Sequence, residues 1–217
     1  MNALWESLKG SLSGGRIILM TDPILDTIKE YRQAENWLWS LITDPSGSRY
    51  FEEKSMETRL REFREQIERM HNFLDAIGNP EEQFPSIHVA GTSGKGSVVS
   101  MLAELLSTSG LRVGYHVSPY LQVCNEKLIV DRQLISPSEF LKLVDDFRRK
   151  YTIWQGINGV YPALKYGEAW VALTYMWMAK QKVEWAVIET GLGGRYDPTN
   201  VLPSRLAVIT NVDYDHT

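Results

Sequence analysis

A single cysteine, Cys124, stands in the 217-residue chain, with no CxxC or Cys/His spacing around it. A disulfide-framed secreted scaffold is therefore excluded, a zinc site is a poor reading, and a reducing, cytoplasmic setting is expected. Long apolar runs are missing as well. No segment approaches the roughly 18 to 20 uninterrupted apolar residues of a transmembrane helix, and the N-terminus lacks the charged start and apolar core of an export signal. Positive charge is not in excess: 23 Lys and Arg face 27 Asp and Glu, a formal net charge of -4. That balance argues against a nucleic-acid backbone or a membrane surface as partner. Internal repeats and low-complexity tracts are also absent. What remains, at 43% hydrophobic and 23% charged residues, is ordinary globular composition with length for one well-buried core or two small ones.

The first 23 residues hold a Ser/Gly run and end at Asp22-Pro23, which reads as a flexible leader before the ordered region. Helical spacing follows twice. Leu25, Ile28, Trp37, Leu38, Leu41 and Ile42 place a helix over residues 24–42, and Leu60, Phe63, Ile67, Met70, Leu74 and Ile77 place an amphipathic one over 55–77. Gly78-Asn79-Pro80 stops the second. The period then changes. Strands are expected at 86–90, 112–117, 184–190 and 206–211, and helices at 98–109, 137–150 (opened by Ser136) and 165–180. The alternation argues an α/β fold with a mostly parallel sheet and helices on both faces. Trp and Met residues of 170–178 read as core, and His71 lies on the amphipathic helix with no functional role.

The strongest local feature is HVAGTSGKGS at 88–97, a strand feeding a glycine loop that opens a helix. Gly91, Gly94 and Gly96 let successive N–H groups turn toward one concavity. The helix start adds positive partial charge, and Lys95 can reach outer phosphates, so the polyphosphate of ATP is the expected ligand. The strict G-x-x-x-x-G-K-[ST] pattern is not met, because Val89 stands at its first position and Gly96 follows the lysine. A metal must then find oxygen ligands elsewhere. The plainer reading is a turn that only joins strand to helix, but a lysine between two glycines at a helix start has no packing role.

A second glycine run, ETGLGGRYDPTN at 189–200, follows an apolar strand and puts Glu189 at its C-terminal end, the edge where open α/β sheets bind ligands. A carboxylate there can direct Mg²⁺ toward phosphates; a solvent-facing glutamate is the alternative. The last strand runs into Asp213, Asp215 and His216. His216 is open to two readings, a metal or substrate group and a surface histidine.

Five segments in order, HVAGTSGKGS at 88–97, VSPYLQVCNEKL at 117–128, ISPSEF at 135–140, ETGLGGRYDPTN at 189–200 and the Asp-His pair at 215–216, make the chain resemble the folylpolyglutamate synthase/dihydrofolate synthase family of the Mur ligase superfamily, from about Tyr31 to Thr217. The resemblance implies a P-loop NTPase-like sheet of the Mur ligase central-domain type. Residues 24–217 would form an N-terminal ATP-binding domain, cut short before a C-terminal one. It implies that Gly91, Thr92, Ser93, Gly94, Lys95, Gly96 and Ser97 bind the ATP phosphates, and that Ser118, Glu189 and His216 hold Mg²⁺. Lys95, Glu189 and His216 would be the catalytic set, while Pro119, Tyr120, Glu126, Arg195 and Asp197 lie on the folate side. Ser93 where the family usually has Asn, and the 211–215 approach to the Asp-His pair, depart from its pattern. The implied reaction joins L-glutamate to a folate or dihydropteroate carboxylate through an acyl phosphate, in a monomer. The rival readings are another Mur-type ligase, against which the ETGLGGR and SPY segments count, and an ATP-binding module without turnover.

Overall fold

The computed structural model describes residues 23–46 and 53–214. Helix α1 spans Pro23–Trp39 and α2 spans Met56–Ala76. Ser55 caps α2 by accepting from the Thr58 amide at 3.2 Å, and the chain leaves it through left-handed Gly78 and Asn79. The α/β part follows: β1 (Ser86–Ala90), α3 (Lys95–Thr108), β2 (Val113–His116), β3 (Ile129–Val130), β4 (Gln133–Leu134), α4 (Pro137–Asn158), α5 (Tyr166–Lys180), β5 (Trp185–Glu189) and β6 (Leu206–Ile209). Every expected helix and strand is present. The expected leader lies outside the described residues except for Pro23, which already belongs to α1.

Strand order is β4-β3-β2-β5-β1-β6. β2, β5, β1 and β6 run parallel, as expected, while β3 and β4 add an antiparallel hairpin at one edge. That hairpin was not expected. Its two-residue turn uses Asp131 and Arg132, both at positive φ (50° and 63°), where the usual signal would be Asn-Gly. Tertiary contacts hold the turn in that conformation: Asp131 accepts from the Val113 amide at 3.1 Å, and Arg132 pairs with Glu104 of α3. α4 also runs two turns past the expected end, since Tyr151 and Trp154 continue its buried stripe beyond the basic run, until left-handed Gly159 stops it.

Period-two alternation decides which side of the sheet each residue serves. Ile87, Val89, Val113 and Val187 pack with Val99 and Ala103 of α3 on one face. Ala186 and Ile188 turn to the other face, against α5 and the larger core that α1, α2 and α4 complete. His88 and His116 are buried, bonded to Thr199 and Thr174. Burial lowers both histidines' pKa, that of His116 to about 3, so both are neutral core groups.

α5 is enclosed on all sides, with every residue from Glu168 to Met178 buried. Its Trp and Met residues are core, as expected. Glu168 bonds the Lys165 amide at 2.9 Å, capping the helix, and takes both Nε and Nη2 of buried Arg69 from α2. Around the far end of α2, Phe73 meets Phe147 edge-on at 5.6 Å and Trp154 at 5.3 Å, locking α2 to α4. Among the described residues no helix is long and apolar enough to cross a membrane.

Glu168→Gln should leave the Arg69 charge buried without its counter-ion and lower unfolding stability by about 3 to 5 kcal/mol, measured as a shifted urea midpoint. The double variant Arg69→Met/Glu168→Leu should recover most of that loss. A single-variant loss under about 1 kcal/mol would show that the pair does not tether the helices.

Candidate functional site

Three strand ends meet at one edge of the sheet. β1 delivers the glycine loop, β5 delivers Glu189, and β6 runs on into Thr210, Asn211 and Asp213. Gly91 adopts φ +135°, and a Cβ there would stand 2.0 Å from Thr210 Oγ1, so β6 presses directly on the loop. The Thr210 hydroxyl donates to the Ser93 carbonyl at 2.7 Å. Asn211 accepts from the Thr92 amide through its carbonyl (3.0 Å) and from the Ser93 amide through its side chain (2.9 Å). The Thr92 hydroxyl exchanges bonds with the Asp213 backbone at 3.0 and 3.1 Å.

These bonds involve two members of the expected phosphate set. The amides of Thr92 and Ser93 are already spent on Asn211, so they hold the loop's shape. The N–H groups at the start of α3, those of Lys95, Gly96 and Ser97, have no intrahelical carbonyl to bond, an arrangement suited to an anion. Gly94, left-handed at φ +78°, turns the chain into that helix. Lys95 Nζ donates to the Gly91 and Thr92 carbonyls at 2.9 and 3.4 Å, placing its charge over the loop. Beside it opens a cleft of about 290 Å³, walled by the glycine loop, residues 191–193 of the second glycine run, and the tail of β6.

Glu189 is buried at the floor of this edge. Its Oε2 accepts from the Ser118 amide at 2.9 Å and lies beside Gly96, where a Cβ would meet it at ordinary contact distance. Burial raises its pKa, while the Ser118 amide, Lys95 and Lys127 pull it back down. Ser118 and Glu189, two expected Mg²⁺ ligands, are thus neighbours, joined through the Ser118 amide. A hydroxyl and a carboxylate are hard oxygen donors suited to that ion. His216, the third, lies outside the described residues. Among the described residues no group of three or more His, Cys, Asp and Glu side chains is arranged to hold a metal.

The expected folate-side residues are placed differently. Glu126 turns inward, accepting from the amides of Leu121, Gln122 and Val123 at 2.7, 2.8 and 3.0 Å, which hold its carboxyl below the usual range. Asp197 is buried and accepts from the Leu192 amide (2.8 Å), the Thr199 amide (2.9 Å) and the Thr199 hydroxyl. These two carboxylates shape loops and do not face ligand space. Arg195 is exposed, 5.9 Å from the Tyr196 ring centre, and Pro119 is exposed in a cis Ser118-Pro119 peptide. Tyr120 packs on the main core. None of the five lines the cleft beside Lys95 or a second open groove, of about 870 Å³, whose walls are Ile28, Tyr31 and Glu35 of α1 against Val123, Asn125 and Ile135. Buried Asn125 spans that groove's base, accepting from Tyr31 Oη at 2.6 Å and donating to the Ile135 carbonyl at 2.8 Å.

Sequence reading also missed Lys127. It is 9% exposed, with Nζ 5.9 Å from the ring centres of both Tyr120 and Trp170, and it makes no ion pair among the described residues. Its position in the NEK triplet beside the S-P segment was the available signal. Only the fold shows that it is buried.

No family model matches the sequence. The chain is 36% identical over 148 residues to a folylpolyglutamate synthase of Lacticaseibacillus casei, covering 68% of this chain and 34% of that protein. It is 35% identical over 157 residues to a dihydrofolate synthase/folylpolyglutamate synthase of Mycobacterium tuberculosis, covering 69% and 32%. Among solved structures, a Mycobacterium tuberculosis folylpolyglutamate synthase complexed with ADP superposes with a TM-score of 0.73 at 29% identity, over 88% of this chain and 38% of that one. An FPGS-AMPPCP-folate complex superposes with a TM-score of 0.72 at 30% identity, over 86% and 41%. The chain thus spans about a third of the length of the curated relatives it matches.

Glu126→Ala should orphan three amides and speed hydrogen exchange at residues 121–123 by tenfold or more, on the order of one lost charge-assisted bond. Because the folded carboxyl sits below its ordinary value of 4.5, the anchoring is complete above that pH and is lost as pH falls through the lower folded value. Exchange that is flat with pH in this acid window, after correction for intrinsic rates, would remove the anchoring role.

Proposed function

The chain belongs to the folylpolyglutamate synthase/dihydrofolate synthase family, matching the N-terminal part of its members, and on that premise we propose that it carries the ATP-binding and acceptor-activating functions of a carboxylate–amine ligase. The observation that carries the reading is the convergence of the Lys95 loop, Glu189 and Ser118 at one sheet edge.

ATP phosphates rest on the N–H groups that open α3, with Lys95 swinging from its loop carbonyls to the outer phosphates. The folate or dihydropteroate ring system fits the apolar groove between α1 and the 123–137 segment by size and lining. An acceptor carboxylate oxygen attacks the γ-phosphorus and ADP leaves, giving an acyl phosphate. The amine of L-glutamate then attacks the acyl carbon, loses a proton, and inorganic phosphate departs. No protein nucleophile is needed. The residues position the reactants and neutralise charge. Ser118 and Glu189, with His216, would hold Mg²⁺, which supplies further positive charge against the phosphates. A cytoplasmic monomer is the setting that goes with this chemistry, with no nucleic-acid or membrane partner. Binding of ATP without turnover is the second reading, favoured by the fact that the match covers only about a third of the relatives' length.

Phosphate release from ATP that requires both dihydropteroate or a folate and L-glutamate is the expected result for the ligase; nucleotide binding without that dependence selects the second reading. Lys95→Ala should weaken nucleotide binding at least tenfold, the scale of one lost charge-assisted contact, whereas an unchanged affinity removes the phosphate-loop assignment. Glu189→Gln should weaken Mg²⁺-dependent nucleotide binding more than binding in EDTA, and equal effects would count against a metal-ligand role.

A further inference from the structure

The cleft beside Lys95 has two walls of unequal support. Ala90, Gly91 and Thr92 form one, and the bonds from Asn211 and Asp213 lace it to the tail of β6. Gly191, Leu192 and Gly193 form the other. All three are exposed, and Gly193 is left-handed at φ +70°. Exposed glycine-rich backbone does not hold its own shape. Among the described residues, the hydrogen bond that ties this wall down runs from the Leu192 amide to Oδ2 of buried Asp197, at 2.8 Å. The carboxylate presses close: a Cβ on Gly191 would stand 3.1 Å from the same oxygen.

Asp197 is itself held from within the core. Its Oδ1 accepts from the Thr199 amide at 2.9 Å and from the Thr199 hydroxyl. That hydroxyl has given its only proton to Asp197, so toward His88 Nε2, 2.8 Å away, it can only accept. His88 is therefore the donor, protonated at Nε2. The Tyr175 hydroxyl of α5 donates to the Thr199 carbonyl at 3.0 Å, which fixes the middle of the chain of bonds. His88, Thr199 and Asp197 are all buried. Packing alone does not call for a histidine and a threonine there, since an apolar pair of the same shape would serve as well.

His88 belongs to β1, the strand that runs on into the first wall. The path from His88 through Thr199 and Asp197 to Leu192 thus returns from β1 to the second wall. Resting on the nucleotide-binding reading of this cleft, we infer that His88 is a positioning residue for ATP: acting through Thr199 and Asp197, it holds the Leu192 wall at its distance from the Lys95 loop. One strand then sets both walls, and the width of the cleft is settled before the nucleotide enters.

The test measures equilibrium binding of a non-hydrolysable ATP analogue, and amide hydrogen exchange without nucleotide, in wild type, His88→Leu, His88→Gln, Thr199→Val and the double variant His88→Leu/Thr199→Val. Thr199→Val keeps the side chain's shape and removes the hydroxyl. It should speed exchange at Leu192 by about tenfold, leave Thr92 and Ser93 within about twofold, and weaken the analogue by about threefold or more. His88→Leu should act in the same direction. The double variant should bind within about twofold of Thr199→Val, because both changes cut one path. His88→Gln, whose side-chain amide can donate in place of Nε2, should bind like wild type. Analogue affinity that is unchanged in Thr199→Val overturns the inference while the phosphate-loop reading stands, and this variant decides the case even if His88→Leu does not fold. Exchange that rises equally at Leu192, Thr92 and Ser93 also overturns it, marking a general packing role. Wild type that does not bind the analogue overturns the nucleotide reading and this inference together.

Discussion

A helix with no face toward water cannot be oriented by its own amphipathicity, and α5 is such a helix. Eleven consecutive residues, Glu168 to Met178, are buried between the sheet and the layer made by α1, α2 and α4. Burying Trp, Tyr, Leu and Met side chains supplies about 1.5 to 3 kcal/mol each, but that attraction is the same for many rotations and slides of the helix. The Glu168 carboxylate removes the freedom. It caps the first turn and takes a two-point grip from Arg69, so one charged group fixes where α5 begins and which way it faces α2. Everything downstream inherits that setting, because α5 leads through a tight turn into β5, and β5 ends in Glu189.

The same hierarchy runs through the site. The sheet puts β1, β5 and β6 side by side, and strand pairing alone brings the glycine loop beside Glu189. Loop shape is then a matter of carboxylates and amides that face inward. Asp197 organises the second glycine run, Glu126 organises the loop after β2, and Asn211 with Thr210 laces the first glycine loop. The groups that the proposed ligase reading assigns to ligands are few: the N–H groups opening α3, Lys95, and Glu189 beside Ser118. Such a division is physically expected, since a loop that bends backbone N–H groups toward an anion needs other acceptors to hold its remaining polar groups.

The motif residues were legible in the sequence because their chemistry is local. A glycine-rich turn with a lysine at a helix start carries its own geometry, and an apolar strand ending in glutamate announces a sheet edge. The heptad-like spacing of 55–77 and the dense apolar strand before Glu189 likewise gave element type and burial directly. Less local properties were not legible. Glu126 and Asp197 look in sequence like any acid beside a ligand motif. Their inward direction depends on loop amides brought round by the fold.

Sequence by itself therefore determined the α/β class, the helices and parallel strands, the glycine loop at a helix start and the placing of Glu189 at the same sheet edge. The tertiary structure decided the rest: the hairpin at Asp131-Arg132, whose unusual turn is held by Val113 and Glu104; the inward turn of the two loop carboxylates; the tying of Thr92 and Ser93 to a strand end more than a hundred residues away; and the burial of Lys127. The physical reason is common to all four. Backbone propensity and hydrophobic period are properties of neighbouring residues. The direction of a charge and the identity of its partner depend on groups that are adjacent only after the sheet has formed.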